Sequence, residues 1–135
     1  MIIDYENQFS EDQAVTATAA STNVIDFGDT KDHAKGNPLM LEIVCTETAV
    51  SGGSTTVDFA LEVDSTTTFT PDASFPLATG VAKATLVAGY VVYRGALPEG
   101  LLQYARIKYT VNTANLTAGK FSAHIVDAFQ SNQNG

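Results

Sequence analysis

Tryptophan is absent from this sequence of 135 residues, and cysteine occurs once, as Cys45. A single thiol allows no disulfide within the chain, and nothing here calls for an oxidising compartment. Cations are scarce too: seven Lys and Arg stand against fifteen Asp and Glu, for a formal net charge of −8. Phosphate backbones and anionic lipid surfaces are gripped through a basic face, so neither nucleic acid nor a membrane is an expected partner. No apolar run approaches the roughly eighteen residues that cross a bilayer as a helix. The start, Met1-Ile2-Ile3-Asp4-Tyr5-Glu6, lacks the basic and apolar stretches of a signal peptide. Synthesis and residence in a cytoplasm are therefore the expectation.

What is present points to strands. Apolar residues make up 44% of the chain, enough for one packed domain. Thr, Ala and Val dominate; Thr and Val are β-branched and favour strands. No segment keeps an apolar period of 3.6 residues, whereas alternation of period two is clear. In 56–64, Val57, Phe59, Leu61 and Val63 share one face, with Asp58, Ala60, Glu62 and Asp64 on the other. Segments 39–45, 105–111 and 120–128 give further strands, and 13–19, 23–27, 83–88 and 90–94 weaker ones. Glycine and proline punctuate the gaps, at Gly28, Pro38, Gly52-Gly53, Pro71, Pro76, Gly80, Gly89, Pro98 and Gly119. The expected fold class is all-β, an antiparallel β-sandwich of about eight strands. An extended N-terminal arm is expected over 1–13, the sandwich over 14–129 and a flexible tail over 130–135. The strands over 39–45 and 90–93 read as apolar on both sides, which makes them candidates for self-association.

Candidate chemistry is thin. Asp26, Asp29, Asp32 and His33 are oxygen-rich and close in sequence, but their spacing matches no EF-hand and Lys31 stands among them. They read as a solvated loop. Ser122, His124 and Asp127 are the residue types of a hydrolase triad, yet on a strand Asp127 faces away from the other two. Asp58, Glu62 and Asp64 form an outward row, and carboxylates two positions apart on a strand stand about 6–7 Å apart. That spacing suits glycosidase acid–base pairs, but no tryptophan exists to stack a sugar, so the row reads as a wet acidic stripe. Cys45 reads as a small buried hydrophobe. Arg106 and Lys108 share one face and are candidates for contact with an acidic partner. No phosphate loop, paired-cysteine motif or dinucleotide fingerprint occurs. Catalysis, cofactor and metal are not expected.

The stretches Ile2-Ile3-Asp4, Phe9-Ser10-Glu11-Asp12-Gln13-Ala14 and Ser21-Thr22-Asn23-Val24-Ile25-Asp26-Phe27-Gly28 resemble the start of small tailed-phage capsid cement proteins of the type found in Bordetella phages. The resemblance continues through Gly36-Asn37-Pro38-Leu39, the alternating strand 57–64, Leu97-Pro98 and Tyr104-Ala105-Arg106-Ile107-Lys108-Tyr109-Thr110-Val111 to Gly119. It implies a jelly-roll-like sandwich without catalysis, decorating the outer surface of an icosahedral virion and stapling major capsid protein subunits together. It also implies a homodimer or homotrimer on a symmetry axis. An acidic protein made in the host bacterial cytoplasm fits the outside of a DNA-filled shell. Ile2, Ile3, Tyr5 and Phe9 are the expected anchors of the arm, and removing residues 1–11 is expected to spare the sandwich. The rival reading is a glycan- or receptor-binding module on the virion surface, followed by a hydrolase relying on Glu62.

Overall fold

Val57, Phe59, Leu61 and Val63 are wholly buried, all on one face of one strand. Successive side chains of a strand point to opposite faces, so an apolar period of two buries one face whole. The computed structural model describes residues 8–26, 40–66, 73–97 and 102–126. Its strands in chain order are β1 (Gln8–Ala14), β2 (Ala19–Ala20), β3 (Ile25–Asp26), β4 (Met40–Val50), β5 (Thr56–Asp64), β6 (Ala73–Ala82), β7 (Val91–Ala96), β8 (Tyr104–Asn112) and β9 (Ala118–Val126).

These form an antiparallel β-sandwich. One sheet has the order β1-β9-β4-β7, and the other β2-β8-β5-β6 with β3 also on β8. The pairing is nested. β1 pairs with β9, β2 and β3 with β8, β4 with β7, and β5 with β6. Two further pairings, β4 with β9 and β5 with β8, knit these hairpin-like pairs into sheets.

Between the sheets lie Leu41, Ile43 and Cys45 of β4, the four β5 residues, Ile107 and Tyr109 of β8, and Phe121, Ala123 and Ile125 of β9. The Phe59 ring meets Tyr109 edge-on at 5.7 Å and Phe121 at 5.2 Å, while Tyr109 and Phe121 stack at 5.6 Å. Phe121 belongs to the first sheet and the other two rings to the second, so the cluster bridges the sandwich. The Tyr109 hydroxyl donates to Ser10 Oγ of β1 at 2.9 Å, which gives the one polar tip of that cluster a partner. Burial pushes the phenol far above its ordinary value, so it remains a donor.

The N-terminal expectation needs correction on one point. The arm expected over 1–13 overlaps β1, which begins at Gln8, and Phe9 and Ser10 are wholly buried. Phe9 packs in the core and has no surface to offer a partner. Residues 1–7 of the expected arm lie outside the described residues. Two more differences have plain causes. Segment 83–88 is a turn, closed by Leu86 N donating to the Ala82 and Lys83 carbonyls, with Leu86 alone tucked inward. β6 is an edge strand with a half-buried pattern and Pro76 in its middle. Edge strands tolerate proline because one row of their N–H groups needs no partner; in the sequence Pro76 and Gly80 read as breaks between strands, which hides β6.

Because Phe9 lies inside the core, Phe9→Ala should lower the unfolding free energy by about 3–5 kcal/mol, measured by urea denaturation. A truncation that ends at residue 11 should be similarly damaging, since it removes both Phe9 and Ser10.

Candidate functional site

The outward positions of the central strands carry charge, and that charge is paired across the strands. On the first sheet Glu42 of β4 sits opposite Arg94 of β7 on one side and His124 of β9 on the other. Arg94 Nε donates to Glu42 Oε2 at 2.6 Å, and His124 Nε2 lies 3.2 Å from Glu42 Oε1. The Glu42 and His124 side chains keep only 8% and 6% of their surface exposed, against 52% for Arg94. On the second sheet Arg106 Nε donates to Glu62 Oε1 at 2.7 Å across the β8–β5 pairing. Lys120 and Glu47 make a looser, exposed pair at 3.9 Å between β9 and β4. Opposite charges directly across two strands stabilise the pairing and fix its register.

Chemically, the Glu42 cluster is a lock. Its one carboxylate is already matched by a guanidinium that stays charged at every relevant pH. His124 Nδ1 has no hydrogen-bond partner. An imidazolium would leave a buried N–H unsatisfied there, so the geometry assigns a neutral ring with its proton on Nε2, donated to Glu42. Burial pushes the imidazole below its ordinary value, and Glu42 offsets only part of that. Among the described residues no serine triad is assembled. Ser122 Oγ accepts from Asp12 N at 2.9 Å, and Asp127 lies outside the described residues.

The acidic row on β5 is likewise engaged. Asp58 accepts from Gly80 N at 2.6 Å and from Asn112 Nδ2 at 3.1 Å, Glu62 binds Arg106, and Asp64 accepts from Thr66 N at 2.9 Å. Glu62 and Asp64 are buried, which corrects the expectation of a wet stripe. Glu62 is bonded to Arg106, while Asp64 is bonded through Oδ1 and its buried Oδ2 has no hydrogen-bond partner among the described residues. The expected pair Arg106 and Lys108 is split by the structure: Arg106 is committed to Glu62. Lys108, half-buried between Ala60 and Ala20, is the one Lys or Arg among the described residues with neither a hydrogen bond nor an ion pair.

Of the remaining candidates, Ile2, Ile3, Tyr5, Asp29, Asp32 and His33 lie outside the described residues, and Asp26 accepts from Gln103 Nε2 at 3.2 Å. Among the described residues no group of three His, Cys, Asp or Glu side chains is placed to hold a metal ion. Cys45 is buried; its thiol donates to the Glu47 carbonyl, and burial raises its pKa, which keeps it unreactive. Sequence reasoning missed the Glu42–Arg94–His124 row. The available signal was a glutamate at the outward position between Met40 and Val44, in a strand read as apolar on both sides.

The His124 position makes stability depend on pH. Below its ordinary value of 6.5 an unfolded-state imidazole takes up a proton while the folded one resists, so the unfolded state binds more protons and stability falls as pH falls. The full contribution should be present above about pH 7 and decline as pH drops through the unfolded value toward the native one. Unfolding measured from pH 7.5 to 5 should show a smaller decline in His124→Gln than in the wild type.

A model of the Bordetella-phage protein family Bbp16 matches residues 9–125, a span that runs from β1 into β9. A search of curated proteins finds no match. The resemblance seen in the sequence is therefore met across the whole sandwich, in a fold whose charged side chains serve to hold strands together. The chain belongs to the Bbp16 family and is a structural, non-catalytic phage capsid-associated protein.

Proposed function

We propose that this protein is a capsid cement: it sits on the outer surface of an icosahedral head and staples neighbouring major capsid protein subunits. The observation that carries this reading is the family match over residues 9–125, which makes the protein capsid-associated. Its net charge of −8 favours the outer side of the shell, because packaged DNA repels an acidic protein. The nested pairing of β1 with β9, β2 and β3 with β8, β4 with β7, and β5 with β6 supports reading the sandwich as a jelly roll.

Copies would associate as a homodimer or homotrimer on a symmetry axis. Many modest contacts repeated by symmetry then hold the shell, since linked contacts gain far more than each alone. Ile2, Ile3 and Tyr5 are apolar anchors for an arm that reaches a neighbour. Lys108 offers an unpaired ammonium to an acidic residue across the interface.

Purified protein added to expanded heads assembled without it should cosediment with them and raise the temperature at which they come apart. Heads that neither bind it nor gain stability would refute the cement reading. Removing residues 1–7 and, separately, Lys108→Glu should each weaken head binding while the urea unfolding midpoint holds. Undiminished binding in both variants would show that contact is made elsewhere.

A further inference from the structure

One end of the sandwich has no acid. The segments 15–18, 51–55, 83–90 and 113–117 join β1 to β2, β4 to β5, β6 to β7 and β8 to β9, and antiparallel connectivity brings all four to the same end. Together they hold none of the chain's fifteen Asp and Glu residues and a single cation, Lys83. The acids flanking 51–55 are already bonded, Glu47 to Lys120 and Asp58 to Gly80 and Asn112. By sequence, the segments joining β3 to β4, β5 to β6 and β7 to β8 carry Asp29, Asp32, Asp72 and Glu99, together with Lys31 and Lys35. The four acid-free segments therefore carry a net charge of +1 on a chain of net charge −8.

This end is also rigid. Val15, Leu86 and Leu116 drop from three of the segments into the core. The segments are cross-bonded: Leu116 N donates to Thr16 O at 2.8 Å, Lys83 N to Thr55 O at 3.1 Å, Thr55 Oγ1 to Ala114 O at 2.8 Å, and Lys83 Nζ to Ser51 O at 2.6 Å. On this frame lies an open apolar depression of about 310 Å³, floored by Ala49 and walled by Val50, Ala84 and Val87. Val50 and Val87 are 50% and 45% exposed, and Tyr90, also exposed, lies farther along the same segment as Val87. Of the large hydrophobic residues exposed among the described residues, only Val24 lies elsewhere.

We infer that this acid-free end is the surface that docks on the capsid shell, against a neutral to acidic protein surface that inserts an aliphatic side chain between Val50 and Val87. The inference rests on the cement reading and says which face of the molecule does the binding. Charge decides the occupant. The chain carries a net charge of −8, and this end, with Lys83 and no Asp or Glu in its four segments, opposes an acidic protein surface least. A second copy docked end to end would set Lys83 against its own counterpart, like charge against like. Because the four loops are fixed before contact, little ordering entropy opposes docking.

Val87→Asp and Val24→Asp test this as a matched pair, because the two side chains are equally exposed at 45% and 44% and each variant adds one carboxylate. Circular dichroism and a thermal melt should find both folded like the wild type. In cosedimentation with heads assembled without the protein, Val87→Asp should bind at least about tenfold more weakly, the scale expected for burying an unpaired charge. Val24→Asp should bind like the wild type. If wild type binds and Val87→Asp binds equally well, the docking surface is wrong while the cement reading stands. If wild type itself fails to bind, the cement reading falls and this inference with it. If Val87→Asp splits an oligomer of the free protein into monomers without weakening head binding, the occupant is a second copy, and the capsid assignment is overturned.

Discussion

Three aromatic rings, Phe59, Tyr109 and Phe121, meet where the two sheets face each other, and the hydroxyl of Tyr109 reaches Ser10 on the first strand. That contact joins β5 and β8 of one sheet to β9 and β1 of the other, and residues near position 10 to residues near position 120. The sandwich therefore closes only once the last strand has found the first. Contacts so distant in sequence make folding slow, because a long loop must close before any of them forms. Once closed, they leave the connecting loops little freedom, and the stiffness of the end formed by 15–18, 51–55, 83–90 and 113–117 follows from this core.

The outer faces complete the picture. A strand needs register as well as burial, and a slip of one residue would turn every apolar side chain to water. Glu42 opposite Arg94 and His124, and Glu62 opposite Arg106, pin the register from outside as the rings pin it from within. Three of the chain's seven cations, Arg94, Arg106 and Lys120, are used in this way. Such a surface has little left for catalysis. Its useful features are shape, stiffness and the placing of charge, which are what a protein that binds other proteins on a shell requires.

Much of this was legible in the residues. The alternation of Val57, Phe59, Leu61 and Val63 gave β5 its exact bounds, and Ala105, Ile107 and Tyr109 placed β8 to within a residue at each end. Those strands are central and carry their apolar side chains on one face, so burial prints a period of two. Phe9 was misplaced because it stands among polar neighbours in a strand whose register shifts on both sides of Ser10, which erases the period. Arg106 and Lys108 look alike in sequence, and only the cross-strand partner, Glu62 against Ala60, separates them. Glu42 was hidden for a related reason: whether an outward glutamate is solvated or locked depends on the strands beside it, and a single sequence does not state its neighbours. The acid-free end could have been found by counting, but the four segments that form it lie far apart in the chain and only the topology gathers them.

The most direct test is an electron cryo-microscopy reconstruction of heads decorated with this protein, at a resolution that fixes its orientation. The account predicts discrete density at fixed positions on the outer surface, bridging adjacent capsid subunits, with the ends of β4 and β8 directed at the shell. Density inside the shell, or protein attached to single subunits with those strand ends pointing to solvent, would contradict it.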